Sequence, residues 1–133
     1  MSLGEAFMTV LHHVSLGSND MDKALAFYDA TMQTLGLKRV LDFAPHAVAY
    51  GTDHPVFWIQ KPHDEKAASH GNGAHIGFAA SSKDQVSAFY KAALAHGGRD
   101  DGAPGPRPDY GHDYYGAFVR DPDGNKIEAC LHA

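Results

Sequence analysis

Cysteine is nearly missing from this sequence. Cys130 is the single thiol among 133 residues, so no internal disulfide can form, and such usage suits a reducing, cytoplasmic setting. No apolar run approaches the roughly 20 residues needed to cross a bilayer, and no secretory leader is recognisable. Clustered positive charge is missing too. With 11 Lys and Arg against 16 Asp and Glu, the net charge is −5, which argues against nucleic acid or an anionic membrane as partner. There is no phosphate loop, no Gly-x-Ser-x-Gly elbow and no dinucleotide fingerprint. What these absences leave is one small domain, long enough to bury its own core, with a small molecule as the expected ligand.

Histidine, by contrast, is abundant, with ten residues. His46, His54, His63 and His70 fall in loop-like stretches, and His96 and His132 near element or chain ends; a solvent-facing role is expected for each. Two others are set apart by an internal repeat. His13-Val14-Ser15-Leu16, followed by Ala26-Phe27-Tyr28, aligns without a gap on His75-Ile76-Gly77-Phe78, followed by Ala88-Phe89-Tyr90, 62 residues later. Over the 24 pairs from 13/75 to 36/98 seven are identical, where composition alone gives about one or two. Each half therefore carries a histidine at the same place.

In each half, a short strand leads into an amphipathic helix. The first strand is expected over Thr9 to Leu16, with Val14 and Leu16 opposite His13. A helix follows from an Asn19 or Asp20 cap, with Met21, Leu25, Tyr28, Met32 and Leu35 as its apolar stripe and Gly36 as its end. In the second half Ser82 and Gln85 spell a capping box, Val86, Phe89, Ala93 and Leu94 the stripe, and Gly97 or Gly98 the stop. Three strands are expected after each helix: Leu37–Phe43, Ala47–Gly51 and Val56–Gln60, then a piece near Gly98–Asp100, Tyr114–Arg120 and Lys126–Leu131. Asp121-Pro122-Asp123-Gly124 makes the last two a hairpin. The fold class predicted is α+β, two tandem βαβββ modules. Residues 1–8 are expected to be a leader or frayed end, 9–60 module one, 61–73 a linker and 74–133 module two. The long loops 61–73 and 102–112 are lid candidates.

Alternation turns the repeat into chemistry. With the bulky apolar faces covered by the helices, His13 and His75 point to the opposite side, beside Ser15, Gly17, Gly77 and Ala79. Ile127, Ala129 and Leu131 form the apolar face of the last strand, which sends Glu128 and Cys130 to the same open side. Two imidazoles and a carboxylate are a good donor set for one divalent transition metal, and a cation would offset burial of Glu128. His112 is the candidate proton carrier beside Glu128. Trp58, Gln60 and Tyr115 are expected to wall the substrate cavity. Cys130 has no catalytic partners in view and reads as an inert side chain.

The run His-His-Val-Ser-Leu, then Phe-Tyr and Leu-Gly, then His-Ile-Gly-Phe, and finally Asp-Pro-Asp-Gly-Asn-Lys-Ile-Glu resembles the vicinal oxygen chelate superfamily, which includes glyoxalase I, bleomycin-resistance proteins and extradiol dioxygenases. The resemblance spans residues 9 to 132. It implies a U-shaped, partly open mixed sheet with the helices outside, a cavity often completed in a homodimer, and a divalent ion (Fe, Mn, Zn or Ni) at His13, His75 and Glu128. It also implies a substrate chelated through neighbouring oxygens, with lyase, isomerase, transferase and oxidoreductase chemistry all open. Two departures stand out. The position matching Glu128 in the first module is Trp58, or Gln60 in a shifted register, so a four-ligand glyoxalase site with two carboxylates is not expected. Phe118 stands where the extradiol signature has Tyr. The competing expectation is a metal-free binding protein that sequesters an aromatic or cationic compound, using Trp58 and the tyrosines near 110–115.

Overall fold

A computed structural model of the protein describes residues 10–132. The expected leader, Thr9 and Ala133 lie outside the described residues. The chain runs β1 (Val14–Gly17), α1 (Met21–Thr34), β2 (Lys38–Phe43), β3 (Ala47–Gly51), β4 (Pro55–Gln60), β5 (His75–Ala79), α2 (Lys83–Ala95), β6 (Arg99–Asp100), β7 (Gly105–Pro106), β8 (Tyr114–Arg120) and β9 (Lys126–His132), with a 3-10 turn at Pro108–Tyr110. The strands form two mixed sheets, neither closed into a barrel.

The two sheets have the same topology. Their orders are β1-β4-β3-β2 and β5-β9-β8-β6, with the first strand of each module parallel to the last. The small additional strand β7 pairs with β8. In the first module Ser15 lies opposite Trp58; in the second, Gly77 lies opposite Glu128. Because Ser15 and Gly77 are repeat mates, Trp58 is the structural counterpart of Glu128. Gln60, opposite Gly17, is the counterpart of Cys130, opposite Ala79.

Helix boundaries follow the capping chemistry. Asp20 accepts from the backbone N–H of Lys23 and starts α1; Ser82 accepts from Gln85 and starts α2. The Gln85 side chain bonds back to the N–H of Ser81, one residue before the cap. Gly36 and Gly97 both adopt left-handed φ, at 81° and 93°, and only glycine does so without strain. Thus the left-handed mate of Gly36 is Gly97, although Gly98 is the residue aligned with it. Gly98 is needed for another reason: a Cβ there would come within 2.6 Å of the Phe27 ring.

One core joins both modules. The two helices pack on each other, and Phe27, Tyr28, Met32, Tyr50, Phe57, Phe78, Phe89 and Ile127 belong to a single buried cluster. Phe57 of β4 and Phe78 of β5 meet edge to face at 5.2 Å. Two sequence expectations need correction. Leu94 is exposed at 41%, because the buried stripe is Val86, Phe89 and Ala93 and residue 94 lies about 100° round the helix from 93. The first strand begins at Val14 rather than four residues or more earlier. Val14 pairs with Phe57, and two residues further back the partner strand starts at Pro55, which has no N–H to donate to a ladder. Among the described residues no helix is long and apolar enough to cross a membrane.

Candidate functional site

The most chemically loaded cavity lies on the face of the second sheet turned away from the helices, with a volume of about 580 Å³. Register explains its lining. Along β9, Lys126, Glu128 and Cys130 share one face; across the ladder, Arg120, Phe118 and Gly116 of β8 lie opposite them. On the other flank β5 sets His75 beside Lys126 and Gly77 beside Glu128. The linker supplies a further wall, since residues 70–74 border the same space. That linker is held down upstream, where Asn19 exchanges two hydrogen bonds with the backbone of Ala68, at 2.7 and 3.1 Å.

Glu128 is the hub. Its side chain is only 3% exposed. One carboxylate oxygen lies 2.7 Å from His75 Nε2, and the other accepts a 2.5 Å hydrogen bond from the Tyr114 hydroxyl. Space for it is provided by missing side chains: a Cβ at Gly116 would stand 3.0 Å from Oε2, and one at Gly77 3.4 Å from Oε1. Two hydrogen bonds thus account for the burial of Glu128 without an added cation. From the sequence, a cation is the simplest remedy; the structure supplies Tyr114 instead, from the strand expected to form a hairpin with that of Glu128. The phenol of Tyr114 is pushed well up from its ordinary pKa, by burial first and then by its hydrogen bonds to Cys130 and Glu128. It therefore stays a proton donor across the physiological range. Burial likewise raises the Cys130 thiol, which keeps it protonated and a poor nucleophile.

His13 is elsewhere. It lines a second, shallower cavity on the first sheet with His12, Ser15, Pro55, Trp58 and Gln60, and its Nδ1 lies 2.8 Å from that of His12. Phe43 stacks on Trp58 with nearly parallel rings 6.3 Å apart. The two cavities share no lining residue. So one chain brings His75 and Glu128 together and holds His13, Trp58 and Gln60 in a separate group. Among the described residues no three His, Cys, Asp or Glu side chains are grouped to hold a metal ion.

The remaining expected site residues fall outside the first cavity. His112 is 95% exposed and faces Asp113 at 3.6 Å. Tyr115 is turned toward α2, where Lys83 Nζ sits 5.1 Å from its ring centre. Its neighbour Tyr114 has the cavity position instead. Alternation carried the signal for this: Phe118 is opposite Glu128, so residues of even number on β8 share its face.

As a donor set, His75 Nε2 and Glu128 Oε1 suit a first-row divalent ion, and Tyr114 sits where an outer-shell partner orients a ligating carboxylate. These two residues supply fewer protein ligands than the three or four usual for such an ion. An ion held there would need a third donor, and His13 of the same chain does not provide it.

Residues 10–129 match the model of the Glyoxalase/Bleomycin resistance protein/Dioxygenase superfamily. Among solved structures, a glyoxalase/bleomycin resistance protein from Albidiferax ferrireducens T118 is 38% identical, with 94% of this chain and 100% of that one covered and a TM-score of 0.84. Lactoylglutathione lyase from Agrobacterium tumefaciens is 22% identical over 93% of this chain and 94% of its own, with a TM-score of 0.66. TioX from Micromonospora sp. ML1 is 16% identical over 91% and 94%, with a TM-score of 0.62. The last two are similar in fold. No curated protein matches the chain.

Proposed function

Since the chain belongs to the Glyoxalase/Bleomycin resistance protein/Dioxygenase superfamily, we propose that it is a metal-dependent enzyme acting on a small substrate with two adjacent oxygens, and that its site is completed in a homodimer. The observation that carries this reading is the His75–Glu128–Tyr114 cluster at the wall of the first cavity. A buried carboxylate with one oxygen held by a phenol and the other beside an imidazole is already oriented for a cation.

His75 and Glu128 would hold the ion together with His13 of a second copy. Two half-sites on separate sheets suit this arrangement, because a two-fold interface that brings a first module onto a second module does so twice. When bound, the ion supplies Lewis-acid polarisation of a substrate oxygen. The protein's own groups do the rest. Glu128 accepts a proton at a carboxylate oxygen, Tyr114 keeps that carboxylate aimed and returns a hydrogen bond as its charge changes, and Phe118 presents a ring 5.8 Å from that of His75, limiting water at the reacting centre. Proton transfer next to a polarised carbonyl is common to lyase and isomerase outcomes; the wall residues choose among them.

A second reading, metal-free sequestration of an aromatic or cationic compound, is favoured by one feature, the Phe43–Trp58 stack beside the His13 cavity with Phe43 58% exposed. Metal analysis separates the two. The enzyme reading predicts about one divalent ion per chain in protein reconstituted with Fe, Mn, Zn or Ni, and loss of that ion in His75→Ala. Equal metal content in wild type and variant, with intact binding of an aromatic ligand, would select the binding protein.

A further inference from the structure

The first cavity gathers cations on a molecule that is acidic overall. The chain carries −5 overall, yet Arg120 and Lys126 line the cavity with Glu128 as its single acid. These residues lie in two adjacent rows across three strands. One row is His75–Lys126–Arg120 and the next is Gly77–Glu128–Phe118. Rows on one face of a strand are separated by two residues, about 7 Å. Two cations therefore stand one row from the carboxylate that would act on the substrate.

The acid behind those cations neutralises only half of them. Asp101 Oδ2 takes a 3.0 Å hydrogen bond from Arg120 Nε and lies 3.8 Å from Lys126 Nζ, so one carboxylate serves both. The Arg120 head is also fixed by a bond to the Gly124 carbonyl. Lys126 sits 5.2 Å above the Phe118 ring, which keeps the ammonium on the cavity side. A net positive charge on a preorganised pair, next to an aromatic wall, is a receptor for an anion attached to a flat or apolar body.

We infer that the substrate is anionic: it carries a carboxylate or phosphate, held by Lys126 and Arg120 one row along the sheet from Glu128, the group that takes its proton. This rests on the reading that the first cavity is the reaction site. It excludes the cationic compounds that the overall charge alone would favour.

Binding by metal-stripped protein tests it without reference to activity. Benzoate, phenyl phosphate and neutral benzamide are titrated in turn, and backbone amide shifts of the residues around the cavity are followed by NMR. The expected result is at least tenfold tighter binding of benzoate or of phenyl phosphate than of benzamide; whichever anion is preferred identifies the group. In Lys126→Met that preference is lost, and in Lys126→Arg it is retained, with an unchanged amide spectrum elsewhere showing that both variants fold. Benzamide binding as well as the anions, or Lys126→Met keeping the preference, would overturn the inference. Since no metal is present, failure of the metal site leaves this result standing, and a stripped protein indifferent to anions sinks the inference while leaving the metal site untouched.

Discussion

Tyr114 controls the residue on which the site turns. Removing its hydroxyl in Tyr114→Phe leaves one oxygen of a nearly closed carboxylate without a donor, while the ring still packs against Tyr110 and His132. The expected cost in stability is about 1–2 kcal/mol. Metal affinity should fall roughly 10- to 100-fold, as for loss of an outer-shell partner. Chemical denaturation and competition with a chelator measure the two effects. Unchanged metal affinity would mean that Glu128 does not need the phenol for orientation. At this scale the sequence was informative wherever strand alternation applied. It put Glu128 and Cys130 on one face and His75 with them, and the structure agrees. The expected hairpin also set β8 beside β9, so the same alternation reached the partner of Glu128 on the neighbouring strand. Tyr115 in place of Tyr114 was an error of a single residue, and on a strand one residue is the difference between faces.

The turn joining β8 and β9 shows what an element does beyond its local chemistry. Asp-Pro-Asp-Gly is recognisable as a turn in any sequence. What cannot be read from it is that the turn ties the second module to the first. Asp121 accepts from the Tyr28 hydroxyl of α1 at 2.6 Å and from two groups of Asn125 and the N–H of Asp123. Asp123 accepts from the N–H of Asn19, and Asn125 donates to the Gly17 carbonyl. Burial pushes the Asp121 carboxyl up from its ordinary range, while its four donors pull the other way. Asp121→Ala would leave those donors unpaired in a buried place and should destabilise the protein by about 3 kcal/mol. A denaturant midpoint close to that of wild type would contradict this role. Element order and most boundaries were legible because caps, glycines and periodicity are local. The loop 102–112 was less so: β7 and the 3-10 turn within it depend on pairing with β8, and pairing is a long-range event.

At the scale of the whole molecule, duplication explains both the fold and the division of the site. Two copies of one topology share a single core through their helices, and each holds its repeat histidine, His13 just before β1 and His75 in β5, at its own sheet face. The sequence suggested that both histidines would aim at one point. Within one chain they line separate cavities, because the modules meet through α1 and α2 rather than through those faces. In the proposed dimer a second copy would restore the convergence, without any carboxylate from the first module, where Trp58 occupies the place of Glu128.

Mixing two crippled chains tests this most directly. His13→Ala and His75→Ala are each expected to bind no stoichiometric metal. After joint unfolding and reassociation in equal amounts, half of the dimers pair one variant with the other, and each such dimer regains one of two sites. Metal content should return to about a quarter of wild type by this symmetry count. A mixture that stays as empty as its parents, or a His13→Ala protein that binds a full complement alone, would contradict a site shared between two chains.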